Sequence, residues 1–134
     1  MKLLDAQQVL ELHEHVLMRD GGLPGVRLGK SVDAVLARVE NNLHFEFDPD
    51  VANAAALFAY TFAVGHIFND ANKRTAYVCA LVTLEINNVR TTKFDQTELE
   101  KIIIAAANGV IGMEDFVGPF RTCLLYTSPS PRDS

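Results

Sequence analysis

Cysteine and tryptophan, two residue types whose number helps to indicate the class of a protein, are scarce in this chain. Its 134 residues include two cysteines and no tryptophan. Two cysteines do not suggest the disulfide framework that small secreted domains commonly need. Cys79 lies within an apolar run and Cys123 near the end of the chain, and we expect both to be reduced or without a role. The cysteine content therefore favours a cytoplasmic protein.

Basic charge and long hydrophobic runs are also scarce. The formal net charge is −5, which argues against direct binding to nucleic acid because such proteins usually show a basic face. The two longest apolar stretches, residues 51–65 and 76–86, are shorter than a membrane span. The N-terminal residues show no secretion signal, since Lys2 is soon followed by polar residues. We therefore expect a cytoplasmic domain with no membrane or nucleic-acid partner.

Helical periodicity and capping signals dominate what is present. Apolar residues make up 49% of the chain, enough for a single core. Asp5 and Gln8 form a capping box for the first helix, and later boundaries are marked in the same way. The first helix ends at Gly21-Gly22, the second runs from about Ser31 to Asn41, the third from Asp50 to near Gly65, the fourth from near Asn72 to Asn87-Asn88, the fifth from Asp95 and Glu98 to Asn108-Gly109, and the sixth begins near Met113.

One stretch departs from the helical period. Between Leu43 and Asp48, apolar and polar residues alternate, which is typical of a short extended segment. The predicted fold is therefore all-α: a compact bundle of about six helices with one short extended segment.

The run from His66 to Thr75 holds most of the chemistry. A histidine and a carboxylate are followed by a small-residue turn, two cations and an apolar helix. The start of a helix offers unpaired N–H groups and a partial positive charge, which together bind anions. A candidate base, a candidate Mg²⁺ ligand and an anion site on one loop are suited to moving a phosphate-containing group.

Each of these residues also has a plainer interpretation. Asp70 or Asn72 could be an N-cap of the following helix, Phe68 a core anchor, and the Lys73-Arg74 pair a solvated one. Cations at a helix N-terminus oppose its dipole, however, unless an anion lies between them. The other histidines, His13, His15 and His44, carry no such signal and we assign them no role.

This run resembles the signature of the Fic/Doc family, and its death-on-curing (Doc) toxin branch most closely. The common Fic pattern is His-Pro-Phe, two variable residues, then Gly-Asn-Gly-Arg. Four positions match that pattern and three differ. The Doc form has Asp, Ala and Lys at the positions of Asp70, Ala71 and Lys73, and it matches throughout. The matches to Fic are His66, Phe68, Asn72 and Arg74, and the differences are Ile67, Ala71 and Lys73.

The resemblance implies a reaction. A lysine in place of the glycine would crowd the subsite of the α-phosphate, so the nucleotide would present its γ-phosphate. The implied enzyme is a Mg²⁺- and ATP-dependent kinase of protein Ser or Thr, with elongation factor Tu as target and arrest of translation as outcome. His66 would be the base and Asp70 the metal ligand. Phosphate would be bound by Asn69, Ala71, Asn72, Lys73 and Arg74, with Phe68 anchoring the loop.

Two other functions stay open. The same site could transfer AMP, as Fic enzymes do, or the chain could be a non-catalytic binding or corepressor module. The family also uses an extended flap beside the signature to align its target, which would be Phe45, Glu46 and Phe47 here. A buried connector is an equal alternative for that segment. The Gly21–Gly25 loop recurs in Doc-like proteins, but we assign it no chemistry.

The resemblance also implies a partner. Many Fic proteins carry an inhibitory helix with Ser or Thr, three variable residues, Glu and then Gly or Asn, and this chain lacks that string. The expectation is the toxin of a type II toxin–antitoxin module, restrained by a Phd-like antitoxin whose C-terminal segment folds onto it.

The last residues differ in character from the rest of the chain. Residues 123–134 turn abruptly to Ser and Pro and resemble the translation of a sequencing adapter. We interpret residues 1–122 as the Fic/Doc domain and residues 123–134 as a non-native tail, with a natural disordered tail as the alternative.

Overall fold

A computed structural model describes residues 1–89 and 96–125 of the chain. Within these ranges there are six helices and no strand, which confirms the all-α prediction. The one strand-like feature in the same ranges is an isolated antiparallel bridge between Val26 and Phe68. The helices are α1 (Ala6–Asp20), α2 (Val32–Phe45), α3 (Val51–Gly65), α4 (Asn72–Ile86), α5 (Gln96–Ala107) and α6 (Met113–Leu125).

Helix α3 forms the centre of the bundle. Eleven of its residues are buried, as its nearly all-apolar sequence predicted. Asp50 caps its N-terminus by accepting a hydrogen bond from Asn53 N at 2.7 Å. The helix packs against α2, α4, α5 and α6, while α1 packs against α4 and α2. The signature loop follows α3 directly, so it begins at the most constrained element of the fold.

Helix α2 corrects the prediction of an extended segment. The helix continues to Phe45, four residues beyond the predicted end at Asn41. Val35, Val39 and Leu43 are all buried, so the helical period runs through the stretch that also alternates by two. Burial of Leu43 against the core decides between the two patterns, and the short alternation is incidental.

The other boundaries agree closely with the sequence signals. The capping box of Asp5 and Gln8 is present in both directions, and Gly21 follows the last residue of α1. The predicted start of the fifth helix at Asp95 lies outside the described residues. Helix α6 includes Leu124, which is buried, so the helix passes the predicted domain limit at residue 122. The nature of the tail stays a prediction. No helix within the two described ranges is long and apolar enough to cross a bilayer.

Candidate active site

The signature loop between α3 and α4 turns sharply at both ends. His66 follows α3 with φ 48°, and Ala71 precedes α4 with φ 65°. Both residues therefore adopt the left-handed conformation, which is unusual for residues other than glycine. Such strain persists where the surroundings hold the chain firmly, and it is common in binding and catalytic loops.

The N-terminus of α4 is open to an anion. Ala71 is its N-cap, and within the described chain no side chain bonds to the helix start. Both residues that could have capped it are used elsewhere: Asp70 Oδ2 accepts from Leu23 N at 3.0 Å, and Asn72 Oδ1 accepts from Phe68 N at 2.9 Å. The first N–H groups of α4 thus keep their capacity to bind phosphate.

Asn72 holds the loop from within. In addition to accepting from Phe68 N, its Nδ2 donates to Phe68 O at 2.9 Å. This pair of hydrogen bonds closes the turn from Phe68 to Asn72, which contains the candidate metal ligand Asp70. The structure therefore shows the loop-holding contact that was one of the two expected uses of Asn72.

The loop between α1 and α2 clamps the signature loop from outside. Arg27 N donates to Ile67 O at 2.7 Å, and Asn69 N donates to Gly25 O at 3.0 Å. The Asn69 side chain is used in the same clamp, since its Nδ2 donates to Pro24 O at 2.8 Å. The Gly21–Gly25 loop, to which we assign no chemistry, therefore supports the signature loop, and the Asn69 side chain is bonded to protein.

His66, the candidate base, has one ring nitrogen in a hydrogen bond and the other available to take a proton. Its ring is half-buried, and Nε2 lies 3.3 Å from Ala107 O at the end of α5. A carbonyl can only accept, so Nε2 donates in this contact, and the neutral ring then carries its lone pair on Nδ1. A nearby helix provides the orienting acceptor that a base of this type needs.

Phe68, the predicted anchor of the loop, is buried. The ring is 1% exposed and stacks on His13 of α1, with ring centroids 3.7 Å apart and an interplanar angle of 9°. His13 Nε2 also lies 2.9 Å from Asp70 O. No role for His13 is predicted from the sequence, because its partners lie far along the chain and leave no local signal.

The two cations differ in their surroundings. Lys73 is exposed, whereas Arg74 Nη1 lies 3.1 Å from Asp20 Oδ2 in an ion pair that is partly open to solvent. Asp20 is the last residue of α1 and was not among the predicted site residues. Its carboxylate supplies Arg74 with an anionic partner, which offsets the unfavourable place of a cation at this helix end.

Two clefts flank the start of α4. One, of about 270 Å³, is lined by Ala71, Asn72, Lys73, Arg74, Tyr77, Glu100, Ile103 and Ile104. The other, of about 380 Å³, is lined by Val16, Asp20, Gly21, Gly22, Asp70, Ala71 and Arg74. Ala71 and Arg74 border both clefts, so a ligand in either one would meet the open helix end.

Tyr77 contributes a neutral hydroxyl to the first cleft. Burial raises the pKa of the Tyr77 phenol, the Glu100 carboxylate raises it further, and Arg74 opposes them. The phenol therefore stays protonated at neutral pH and adds no negative charge to a site for phosphate.

Asp70 is the acidic residue of the signature loop that could hold a metal. The described residues contain no group of three His, Cys, Asp or Glu side chains that could enclose an ion. A single carboxylate in the loop does not fit a structural zinc site. It fits Mg²⁺, which is commonly held by one or two carboxylates together with substrate phosphates and water.

The predicted flap residues lie at the end of α2. Phe45 is its last residue and is 81% exposed, Glu46 is exposed, and Phe47 is half-buried against the core. The connector interpretation therefore fits Phe47, while Phe45 presents an aromatic ring to solvent.

Comparison with known proteins identifies the family to which the chain belongs. The sequence model of the Fic/DOC family matches residues 3–84. The chain is also 35% identical over 121 residues to the Protein kinase doc of Escherichia phage P1, and the match covers 90% of this chain and 94% of that relative. The chain therefore belongs to the Fic/DOC family, on its death-on-curing branch.

Proposed function

We propose that the chain is the toxin of a type II toxin–antitoxin module and acts as a Mg²⁺- and ATP-dependent protein kinase. The γ-phosphate is transferred to a Ser or Thr hydroxyl of a translation factor, with elongation factor Tu as the target. The observation that carries the proposal is the open N-terminus of α4, since Asp70 and Asn72 both bond away from it. The relative from phage P1, whose name is Protein kinase doc, supports the kinase activity.

The chemical step needs little covalent work from the protein. The target hydroxyl oxygen bonds to the γ-phosphorus, the bond from that phosphorus to the bridging oxygen breaks, and ADP leaves. His66 takes the hydroxyl proton on Nδ1, the nitrogen left free by the contact of Nε2 with Ala107 O. The rate then depends on positioning and on charge stabilisation, as is general for phosphoryl transfer.

The phosphates are held by the loop and the helix end. The N–H groups that begin α4, with Lys73 and Arg74, bind phosphate oxygens, and Arg74 exchanges its contact with Asp20 for one with the nucleotide. Asp70 would hold Mg²⁺, which supplies neutralisation of phosphate charge when it is bound. Ala71 adds its backbone N–H to the cradle, whereas the predicted phosphate ligand Asn69 already spends its backbone N–H on Gly25 O and its side chain on Pro24 O.

Transfer of AMP is the competing reaction, because His66, Phe68, Asn72 and Arg74 also match the Fic pattern. Radiolabel on either the γ- or the α-phosphate of ATP separates the two reactions. We expect elongation factor Tu to gain γ-label only, and to gain none with His66→Ala. The variant His15→Ala, which changes an exposed histidine on α1, is the matched control and should label normally. Transfer of α-label instead would refute the kinase proposal.

A non-catalytic toxin is the second competitor. If the chain acts by sequestering a translation factor or as a corepressor, His66→Ala should remain toxic when expressed in a bacterial host. The kinase proposal requires that toxicity is lost with His66→Ala and kept with His15→Ala, with both variants expressed at the level of the unmodified chain.

The proposed partners are an antitoxin and the target chain. A Phd-like antitoxin would restrain the enzyme through its C-terminal segment, folding as it binds. Phe45, Glu46 and Phe47 are proposed to contact the target, as peptide segments often dock against exposed aromatic side chains. Phe45→Ala should then raise the KM for the protein target and leave the KM for ATP unchanged. Equal effects on both constants would contradict a role in target binding.

A further inference from the structure

His13 is an unusual residue in this fold because it is a buried histidine far from the signature in sequence. It is 4% exposed, whereas His15 and His44 are exposed and His66 is half-buried. A buried imidazole must satisfy its ring nitrogens, so its partners indicate what it does. Its contacts are with two residues of the signature loop, Phe68 and Asp70.

The first contact is polar. His13 Nε2 lies 2.9 Å from Asp70 O, and because a carbonyl can only accept, the imidazole donates. The carboxylate of the same residue is fixed separately, since Oδ2 accepts from Leu23 N at 3.0 Å. Asp70 is therefore held at its backbone by α1 and at its side chain by the loop that follows α1. The next residue, Ala71, then enters its left-handed conformation and begins α4.

The second contact is a ring stack. His13 lies 3.7 Å from Phe68 and nearly parallel to it, and Phe68 in turn stacks on Phe62 of α3 at 6.5 Å with an interplanar angle of 9°. This stack connects α1 to α3 through the signature loop. The stack accounts for the burial of His13, but a phenylalanine ring at this position could form the same stack. The hydrogen bond to Asp70 O is the contact that requires a polar side chain.

We infer that His13 is a positioning residue, which holds Asp70 and the start of α4 in the geometry that binds metal and phosphate. It touches neither ligand and acts through the backbone of Asp70. The inference rests on the proposed function to the extent that Asp70 binds Mg²⁺. Residues that orient a metal ligand from behind typically change metal affinity or activity by about 10–100-fold when they are replaced.

Two substitutions separate the stack from the hydrogen bond. His13→Phe keeps a ring on Phe68 and loses the donor, whereas His13→Gln loses the ring and keeps a donor that reaches as far as Nε2. We expect His13→Phe to weaken binding of Mn²⁺, a Mg²⁺ substitute, by about tenfold or more in the presence of ADP. His13→Gln should recover much of this affinity. His15→Phe, on the same helix but exposed, should bind as the unmodified chain does.

Exchange of the Leu23 amide gives a readout that does not depend on the metal. This N–H donates to Asp70 Oδ2, so its exchange with solvent, measured by NMR, should become several-fold faster in His13→Phe and not in His15→Phe. If the unmodified chain binds no Mn²⁺, the proposed function loses its metal site, and Leu23 exchange still decides the role of His13.

Two results would refute the positioning role of His13. Unchanged Mn²⁺ affinity and unchanged Leu23 exchange in folded His13→Phe would overturn the inference. Equal losses in His13→Phe and His13→Gln would also overturn it, because they would show that His13 is needed only for packing. If His13→Phe does not fold, His13→Asn replaces it, since its shorter amide does not reach Asp70 O and should lose the affinity that His13→Gln keeps.

Discussion

Gly22 offers a sharp test of how the loop after α1 supports Asp70. A Cβ at Gly22 would lie 3.0 Å from Leu17 Cδ2, 3.2 Å from Asp70 Cβ and 3.3 Å from Asp70 Oδ2. The tip of Leu17 can move aside, but Asp70 Cβ is tied to the backbone that His13 holds. We therefore expect Gly22→Ala to displace the Asp70 carboxylate by a few tenths of an ångström.

Gly21→Ala is the matched control. Gly21 and Gly22 both have positive φ, of 80° and 130°, but a Cβ at Gly21 meets nothing within 4 Å. Each substitution therefore carries backbone strain, on the order of 1–3 kcal/mol. A strain of about 1 kcal/mol lowers the Tm by about 2–8 °C in a domain of this size, so both variants should melt earlier.

The two variants should differ in catalysis. Misplacement of a catalytic group by about 1 Å can cost about a hundredfold in rate, so a few tenths of an ångström should cost Gly22→Ala about three- to tenfold in phosphate transfer. Gly21→Ala should keep its rate at temperatures where it is folded. Rates measured well below both melting temperatures give the comparison. Equal rates for the two variants would show that Gly22 does not help to place the Asp70 carboxylate.

Further predictions concern Asp20, Asp50 and Cys79. Asp20→Asn removes the partly exposed partner of Arg74, and such an ion pair is worth about 0.2–1 kcal/mol. Because Arg74 is then free to bind phosphate, calorimetry should show Mg²⁺-ADP binding up to about fivefold tighter. Weaker binding would contradict this. Asp50→Ala loses both the cap of α3 and the 2.9 Å ion pair with Arg121, and should cost about 1–2 kcal/mol in urea unfolding, whereas Asp50→Asn keeps the cap and should cost less than half as much. Burial raises the pKa of Cys79 from 9.0 to about 12, so the native thiol should resist iodoacetamide at about pH 8 and react after denaturation. Because the folded thiol keeps its proton while the unfolded one ionises, this residue should also make stability fall as pH rises between these two values.

Much of the fold was predictable because its signals are local. The capping box of Asp5 and Gln8, the cap at Asp50 and the apolar sequence of α3 each lie within a few residues of the structure they specify. The extended segment was wrong because a six-residue alternation is weaker than the longer helical period that includes Leu43.

The position of the signature loop was predictable from the sequence, and the residues that support the loop were not. The signature motif itself located the loop, and the Phe68 side chain within it is buried. His13, Asp20 and Leu23 were missed because each contacts the loop across more than forty residues of sequence. Such contacts depend on how α1 packs against α4, which no local pattern in the sequence reports.

The proposed reaction of the chain is transfer of a phosphate, with His66 as the base. Intact-mass spectrometry of elongation factor Tu, after incubation with the chain, Mg²⁺ and ATP, tests it most directly. We expect a gain of the mass of one phosphate with the unmodified chain and no gain with His66→Ala. A gain of the mass of one AMP would contradict it, as would phosphate transfer that survives in His66→Ala.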